Sequence, residues 1–173
     1  MRQLFTTLSI FISTCLFAQT FPSQFIGHWE GELLWYQGAK KQPQKNKMQL
    51  IIQPTDTANQ YTWQIIYGDK GSDNRPYILK PVDTAKGHWV IDERIGIVLD
   101  QYWIGNRFCG AFTISNSTIQ NCYWREKKKL VVEFIAYAAK PISKTGLGTE
   151  DVPHVDSYQV RTYQKAVLKK RRK

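Results

Sequence analysis

Long apolar runs are scarce in this chain of 173 residues. The one that stands out, Leu4 to Phe17, falls short of the roughly 20 residues that a helix needs to span a bilayer. No membrane-spanning helix is therefore predicted. Three cysteines and three histidines supply no zinc-spaced set, and neither a nucleophile elbow nor a Gly-rich phosphate loop occurs. The nearest carboxylate cluster, Asp92-Glu93 with Asp100, straddles two short apolar segments. Asp92 and Glu93 point to opposite faces of an extended chain and cannot act as a pair. No catalytic residue, metal or cofactor is predicted, and the chain is not expected to be an enzyme. Helical periodicity is missing as well: no segment sustains it over three turns.

Acidic residues are also few, 14 against 24 lysines and arginines, which leaves a formal charge of +10. That excess resembles a nucleic-acid signal until its position is considered. Lys165, Lys169, Lys170, Arg171, Arg172 and Lys173 hold six of the charges with no acid among them. Without these and Arg2, the body carries about +3. Such a run reads as a solvated tail over 165–173, able at most to make weak contact with an anionic membrane surface or polysaccharide. Nucleic-acid binding is not expected.

What is present begins with an export signal. A cationic start, the apolar stretch and Ala18 before Gln19 form the pattern of a secretory signal peptide over residues 1–18. The mature chain then starts near Gln19 and occupies the periplasm or the exterior. Its body over 19–164 suits one domain with one core. Cys109 and Cys122 remain after cleavage, in a compartment that permits a disulfide.

The remainder alternates short runs rich in Trp, Tyr, Phe, Ile and Val with turn signals, the mark of an all-β sandwich or barrel. Strands are predicted near 25–36, 46–53, 60–67, 75–80, 87–92, 95–104, 107–115, 118–126, 129–137 and 155–166. A weak repeat, Pro54-Thr55-Asp56-Thr57-Ala58 before Trp63 and Pro81-Val82-Asp83-Thr84-Ala85 before Trp89, marks hairpins in series. Eight to ten strands joined this way tend to close into an up-and-down antiparallel barrel, which removes unpaired edges.

Alternation sorts the faces. Gly27, Trp29, Gly31, Leu33 and Trp35 share one side of the first strand; Tyr61, Trp63, Ile65 and Tyr67 share one side of the third; Phe108, Gly110, Phe112 and Ile114 do so in the seventh. A two-residue loop at Ser115-Asn116 sets Phe112 opposite Ile119, Phe108 opposite Tyr123, and Cys109 opposite Cys122, which predicts a cross-strand disulfide. The three longest connections, Gln37 to Lys45, Gly68 to Asn74 and Ala138 to His154, fall at one end. The Asp-Thr-Ala turns fall at the other. One end is a mouth covered by long loops and the other a floor.

Phe25-Ile26-Gly27-His28-Trp29 resembles the Phe-x-Gly-x-Trp opening of fatty-acid-binding proteins and the Gly-x-Trp of lipocalins. Gln159-Val160-Arg161-Thr162-Tyr163-Gln164-Lys165 is similar to the last strand of the former, where an Arg-x-Tyr pair holds the ligand carboxylate. Both groups belong to the calycin superfamily. The resemblance implies a barrel enclosing a small hydrophobic ligand, with Gly27 and Trp29 as structural residues. Two departures are plain: Gln37 to Lys45 is too short for the paired helices of fatty-acid-binding proteins, and those proteins are cytosolic.

On this reading Arg161 and Tyr163 face inward and meet a ligand carboxylate through charge-assisted hydrogen bonds. The competing reading stacks Arg161 on Trp29 as a cation–π lid on the floor. Trp35, Trp63, Tyr67, Trp103 and Phe112 would line the pocket, or fill the barrel solid and leave a structural or interaction module. His154, beside the mouth, resembles the haem-ligating histidine of nitrobindin-like barrels and matters only if haem binds.

Overall fold

The computed structural model describes residues 21–172. The signal-peptide assignment for residues 1–18 lies outside them. Twelve strands follow one another: β1 (Gly27–Gln37), β2 (Gln44–Ile52), β3 (Tyr61–Tyr67), β4 (Asp73–Asp83), β5 (His88–Asp92), β6 (Val98–Ile104), β7 (Arg107–Ile114), β8 (Ser117–Glu126), β9 (Lys129–Ala138), β10 (Ser143–Thr145), β11 (Val155–Ser157) and β12 (Val160–Lys170). Ten of them close an antiparallel barrel, each paired with its sequence neighbour from β1 to β9, and β12 bridging β9 and β1. The remaining two, β10 and β11, form a separate hairpin in the long mouth connection.

The pattern behind this closure is the period-two alternation. Trp29, Leu33, Met48, Leu50, Ile52, Trp63, Ile65, Leu79, Ile91, Phe108, Tyr123, Leu130, Val132, Ala166 and Leu168 are all buried in one core. Most of their intervening neighbours are at least partly exposed, Val131 on β9 being a fully buried exception. Hairpin register follows the turn chemistry: Ser115, at φ 51°, takes the left-handed conformation that a two-residue loop requires. Phe112 accordingly sits opposite Ile119, Phe108 opposite Tyr123 and Cys109 opposite Cys122. The two cysteines are disulfide-bonded, a bond of oxidising compartments rather than of the cytoplasm. Among the described residues no helix is long and apolar enough to cross a membrane.

The expected solvated tail is not a tail. Lys165, Lys169 and Lys170 belong to β12, where Leu34 pairs with Lys165, Glu30 with Lys169 and Trp29 with Lys170. Ala166 and Leu168, both fully buried, alternate with the lysines and hold this segment in the wall. The backbone N–H of Arg171 then donates to the carbonyl of His28. The barrel therefore extends past Gln164, and its last strand runs over Val160–Lys170 rather than 155–166.

At the floor, Trp29 lies fully buried and donates from Nε1 to the Phe25 carbonyl at 2.7 Å. Gly27 sits beside it at φ 149°, a conformation that favours glycine, and the Lys170 side chain occupies the space a β-carbon would need.

Candidate functional site

The floor half of the barrel is packed with rings. Phe21 stacks on Trp103 at 5.0 Å and on Phe108 at 4.4 Å. Trp63 meets Tyr123 at 5.0 Å and Phe108 at 5.4 Å, both edge-on. Trp63 and Trp103 were expected to line a pocket; instead they fill this half, because the N-terminal segment with Phe21 and Phe25 plugs the floor beneath them.

The mouth half is hollow. A cavity of about 300 Å³ lies between Trp35, Tyr67, Phe112, Ile119, Phe134 and Ala136, with Leu33, Asn46, Asp73, Arg75 and Gln164 completing its wall. Three of the expected lining residues, Trp35, Tyr67 and Phe112, are thus brought together here. Alternation from five strands, β1, β3, β7, β8 and β9, points these apolar groups at one space. Trp35 has its indole Nε1 buried without a hydrogen-bond partner among the described residues.

The polar side of the cavity was not foreseen. Asp73 and Arg75, at alternate positions of β4, both face inward. Arg75 donates through Nε to Asp73 Oδ1 at 3.0 Å and through Nη2 to Oδ2 at 2.7 Å. Its guanidinium also lies over the Tyr67 ring, 5.0 Å from the centroid. The hydrogen bonds from Arg75 hold the Asp73 carboxyl below its ordinary range, and the same bonds hold the guanidinium above its own. Burial pushes the Tyr67 hydroxyl well up. Next to Arg75 on the inner face, Tyr77 is raised by burial first and by Glu93 second.

Directly opposite Phe134 lies Asn121, which pairs on its other side with Gly110. Asn121 and Gln101 are the buried polar residues of the core. A β-carbon on Gly110 would collide with the Gln101 amide, so the glycine makes room for it. Both amide ends of Gln101 and the Asn121 Oδ1 lack a hydrogen-bond partner among the described residues, a costly condition for buried polar atoms. Beside them, burial pushes the Tyr123 hydroxyl up to about 12, with Trp63 and Asn121 pulling the other way.

Arg161 and Tyr163 are not at this site. The inner positions of β12 are Gln164, Ala166 and Leu168, set by their pairing with Trp35, Leu33 and the buried residues of β9. Tyr163 therefore faces outward, where its hydroxyl donates to Glu133 Oε1 at 2.7 Å. Burial first, then that carboxylate, raises it to about 12. Arg161 sits at the register shift between Val160 and Thr162, on the exposed rim, and donates to Ser117 Oγ at 2.9 Å. Arg161 is not among the residues lining the interior cavity and lines instead an open hollow on the rim with Ser115, Asn116 and Gln159; it does not stack on Trp29. The cation over Trp29 is Arg125, 4.5 Å from the ring, with Lys170 at 5.6 Å. Arg125 Nη1 also donates to the Gln24 carbonyl at 2.6 Å.

His154 lies in the exposed mouth connection, its ring against Gly148, and is not among the cavity-lining residues. Two acids of the outer wall are paired, Asp92 with Lys80 at 2.5 Å and Asp100 with His88 at 2.7 Å. Among the described residues no group of three or more His, Cys, Asp or Glu side chains converges as a metal site would require. No protein-family model matches the chain, and no curated protein matches it significantly.

Proposed function

We propose that this protein is an exported, calycin-like binding protein that holds one small, mostly apolar molecule beneath the mouth of its barrel. The observation that carries the reading is the cavity of about 300 Å³, apolar over most of its wall, with Trp35, Tyr67, Phe112 and Phe134 among the residues that line it. That volume stands at the lower end of ligand sites, which start near roughly 300 Å³. A single short chain or ring system fits it; a large macrocycle does not, which removes the support for haem at His154.

The wall chemistry favours an uncharged ligand bearing a hydrogen-bond acceptor. Two of Arg75's five N–H donors, and its charge, are already engaged by Asp73, so an added carboxylate would meet Asp73's negative charge beside a guanidinium that is already neutralised. An acceptor on the ligand can instead take a hydrogen bond from the side-chain amide of Asn46 or Gln164, both in the wall. The disulfide agrees with export, and the N-terminal segment is the signal peptide in this proposal. A second reading, a barrel that serves only as a structural or interaction module, draws on the tightly packed floor half.

Tryptophan fluorescence tests the two. Fatty alcohols and amides of graded length are expected to quench or shift Trp35 emission, more strongly than the matching fatty acids. Native mass spectrometry of the purified protein is expected to find a bound small molecule. Ala136→Phe places a ring in the cavity and should weaken binding by at least about tenfold, roughly 1.4 kcal/mol, without a loss of cooperative unfolding. Absence of any co-purifying molecule and of any spectral response across these probes would leave the filled module standing.

A further inference from the structure

The cations that the sequence scatters over two segments meet at one edge of the floor. Lys127 and Lys128 form the turn between β8 and β9, Lys129 opens β9, Lys169 lies near the end of β12, and Arg171 and Arg172 follow that strand. Lys129 and Lys169 are direct cross-strand partners on the outer wall, an arrangement of like charges that is unfavourable by itself. All six side chains are exposed. No ion pair within 4.0 Å engages any of them among the described residues. The acids closest in register are Glu30, opposite Lys169, and Glu126, opposite Lys129. Two carboxylates face six cations. Elsewhere on the floor, Asp83 is held by Lys86 at 3.3 Å.

We propose that this floor edge docks the protein on an anionic phospholipid surface, with the cavity mouth facing away. Charge complementarity is the first support. Six exposed cations share one edge of the barrel end, an arrangement that suits a sheet of phosphates. The second support is apolar. Ile104, 69% exposed, sits at the same end opposite Arg107, and Arg107 covers the half-buried Trp124 at 4.1 Å. An aromatic ring and an aliphatic side chain beside basic residues match the headgroup layer. The third is orientation: the loops of the mouth lie at the opposite end, so a docked barrel keeps its cavity open to solution.

Sedimentation with phosphatidylcholine vesicles, with and without phosphatidylglycerol, tests this on the purified protein at low and high salt. Binding is expected only with the anionic lipid and should fall as salt rises. Each cation near an anionic surface strengthens adsorption roughly fivefold. Lys127→Gln/Lys128→Gln/Lys129→Gln and, separately, Lys169→Gln/Arg171→Gln/Arg172→Gln should each weaken it about a hundredfold on that basis. Lys40→Gln/Lys41→Gln/Lys144→Gln, which removes the same charge from the mouth, should change it little. Equal losses from mouth and floor variants would overturn the proposal, as would salt-insensitive binding. So would binding to an anionic polysaccharide with none to vesicles. Quenching by small ligands in the cavity is independent of all these variants and reports on a separate question.

Discussion

Replacing Arg125 by alanine should cost far more than replacing Arg161, although Arg161 is the arginine that a family resemblance would single out. Arg125 stands over Trp29 at 4.5 Å and donates to three carbonyls: Gln24 at 2.6 Å, Lys129 at 3.1 Å and Lys127 at 3.0 Å. The cation–π contact is worth about 1 kcal/mol and the part-buried bond to Gln24 about 1.5 kcal/mol. The two exposed bonds, discounted for solvent, add roughly 0.5 kcal/mol. The total of about 3 kcal/mol corresponds to a fall in Tm of roughly 6–12 °C for a domain of this size. Arg161 makes one exposed bond, to Ser117, and its removal should cost under about 0.5 kcal/mol. Arg125→Lys keeps a charge over the ring but loses the fork, and should fall between. Urea unfolding followed by tryptophan fluorescence measures all three, because Trp29 reports directly on the floor. An Arg161→Ala variant as unstable as Arg125→Ala, or more so, would refute the assignment of floor closure to Arg125.

Cys109→Ser with Cys122→Ser, or reduction of the wild type, should lower stability by about 3 kcal/mol, the chain-entropy value for the short loop closed by a bond of sequence separation 13; urea midpoints with and without reductant check it. Alkaline pH should destabilise the barrel in a defined window. The Tyr123 and Tyr163 hydroxyls are raised to about 12, above the unfolded value near 10. The folded state therefore retains protons that the unfolded state has released, and stability present below about pH 10 is lost as pH rises toward 12. For fully buried Tyr123 the loss is on the order of 2–3 kcal/mol. Phenolate absorbance should show a lagging fraction in the folded protein, which shrinks in Tyr123→Phe.

The barrel was legible because its instructions are local. Each strand carries its own alternation, each turn its own chemistry, and a two-residue loop at Ser115-Asn116 ties Cys109 to Cys122 without knowledge of any other strand. The mouth and floor followed from connection lengths alone. The polar wall was less accessible. Asp73 lay outside the predicted fourth strand, so its shared face with Arg75 went unread, and nothing in a linear sequence brings Gln101 to Asn121 across Gly110. Likewise the Lys127–Lys129 run and the β12 cations become one patch only after β12 pairs with β9.

The misplacement of Arg161 and Tyr163 had a cause that was present in the chain. Treating Lys165 onward as a charged tail ended the last strand just where its face could have been determined. Gln164, Ala166 and Leu168 alternate with Lys165, Val167 and Lys169, and small or aliphatic residues at alternate positions among lysines describe an amphipathic strand, not a solvated run. Once Ala166 and Leu168 are assigned inward, Gln164 is inward and Tyr163 must point out. The same arithmetic on β8, from Ile119 through Asn121 and Tyr123, carries Arg125 to the inner face at the floor, beside Trp29. Composition hid both inferences: a high density of charge suppressed a strand, and a family motif drew attention to the wrong arginine. Side-chain phase, counted from the most deeply buried residue outward, decides between an arginine in the barrel and one on its rim.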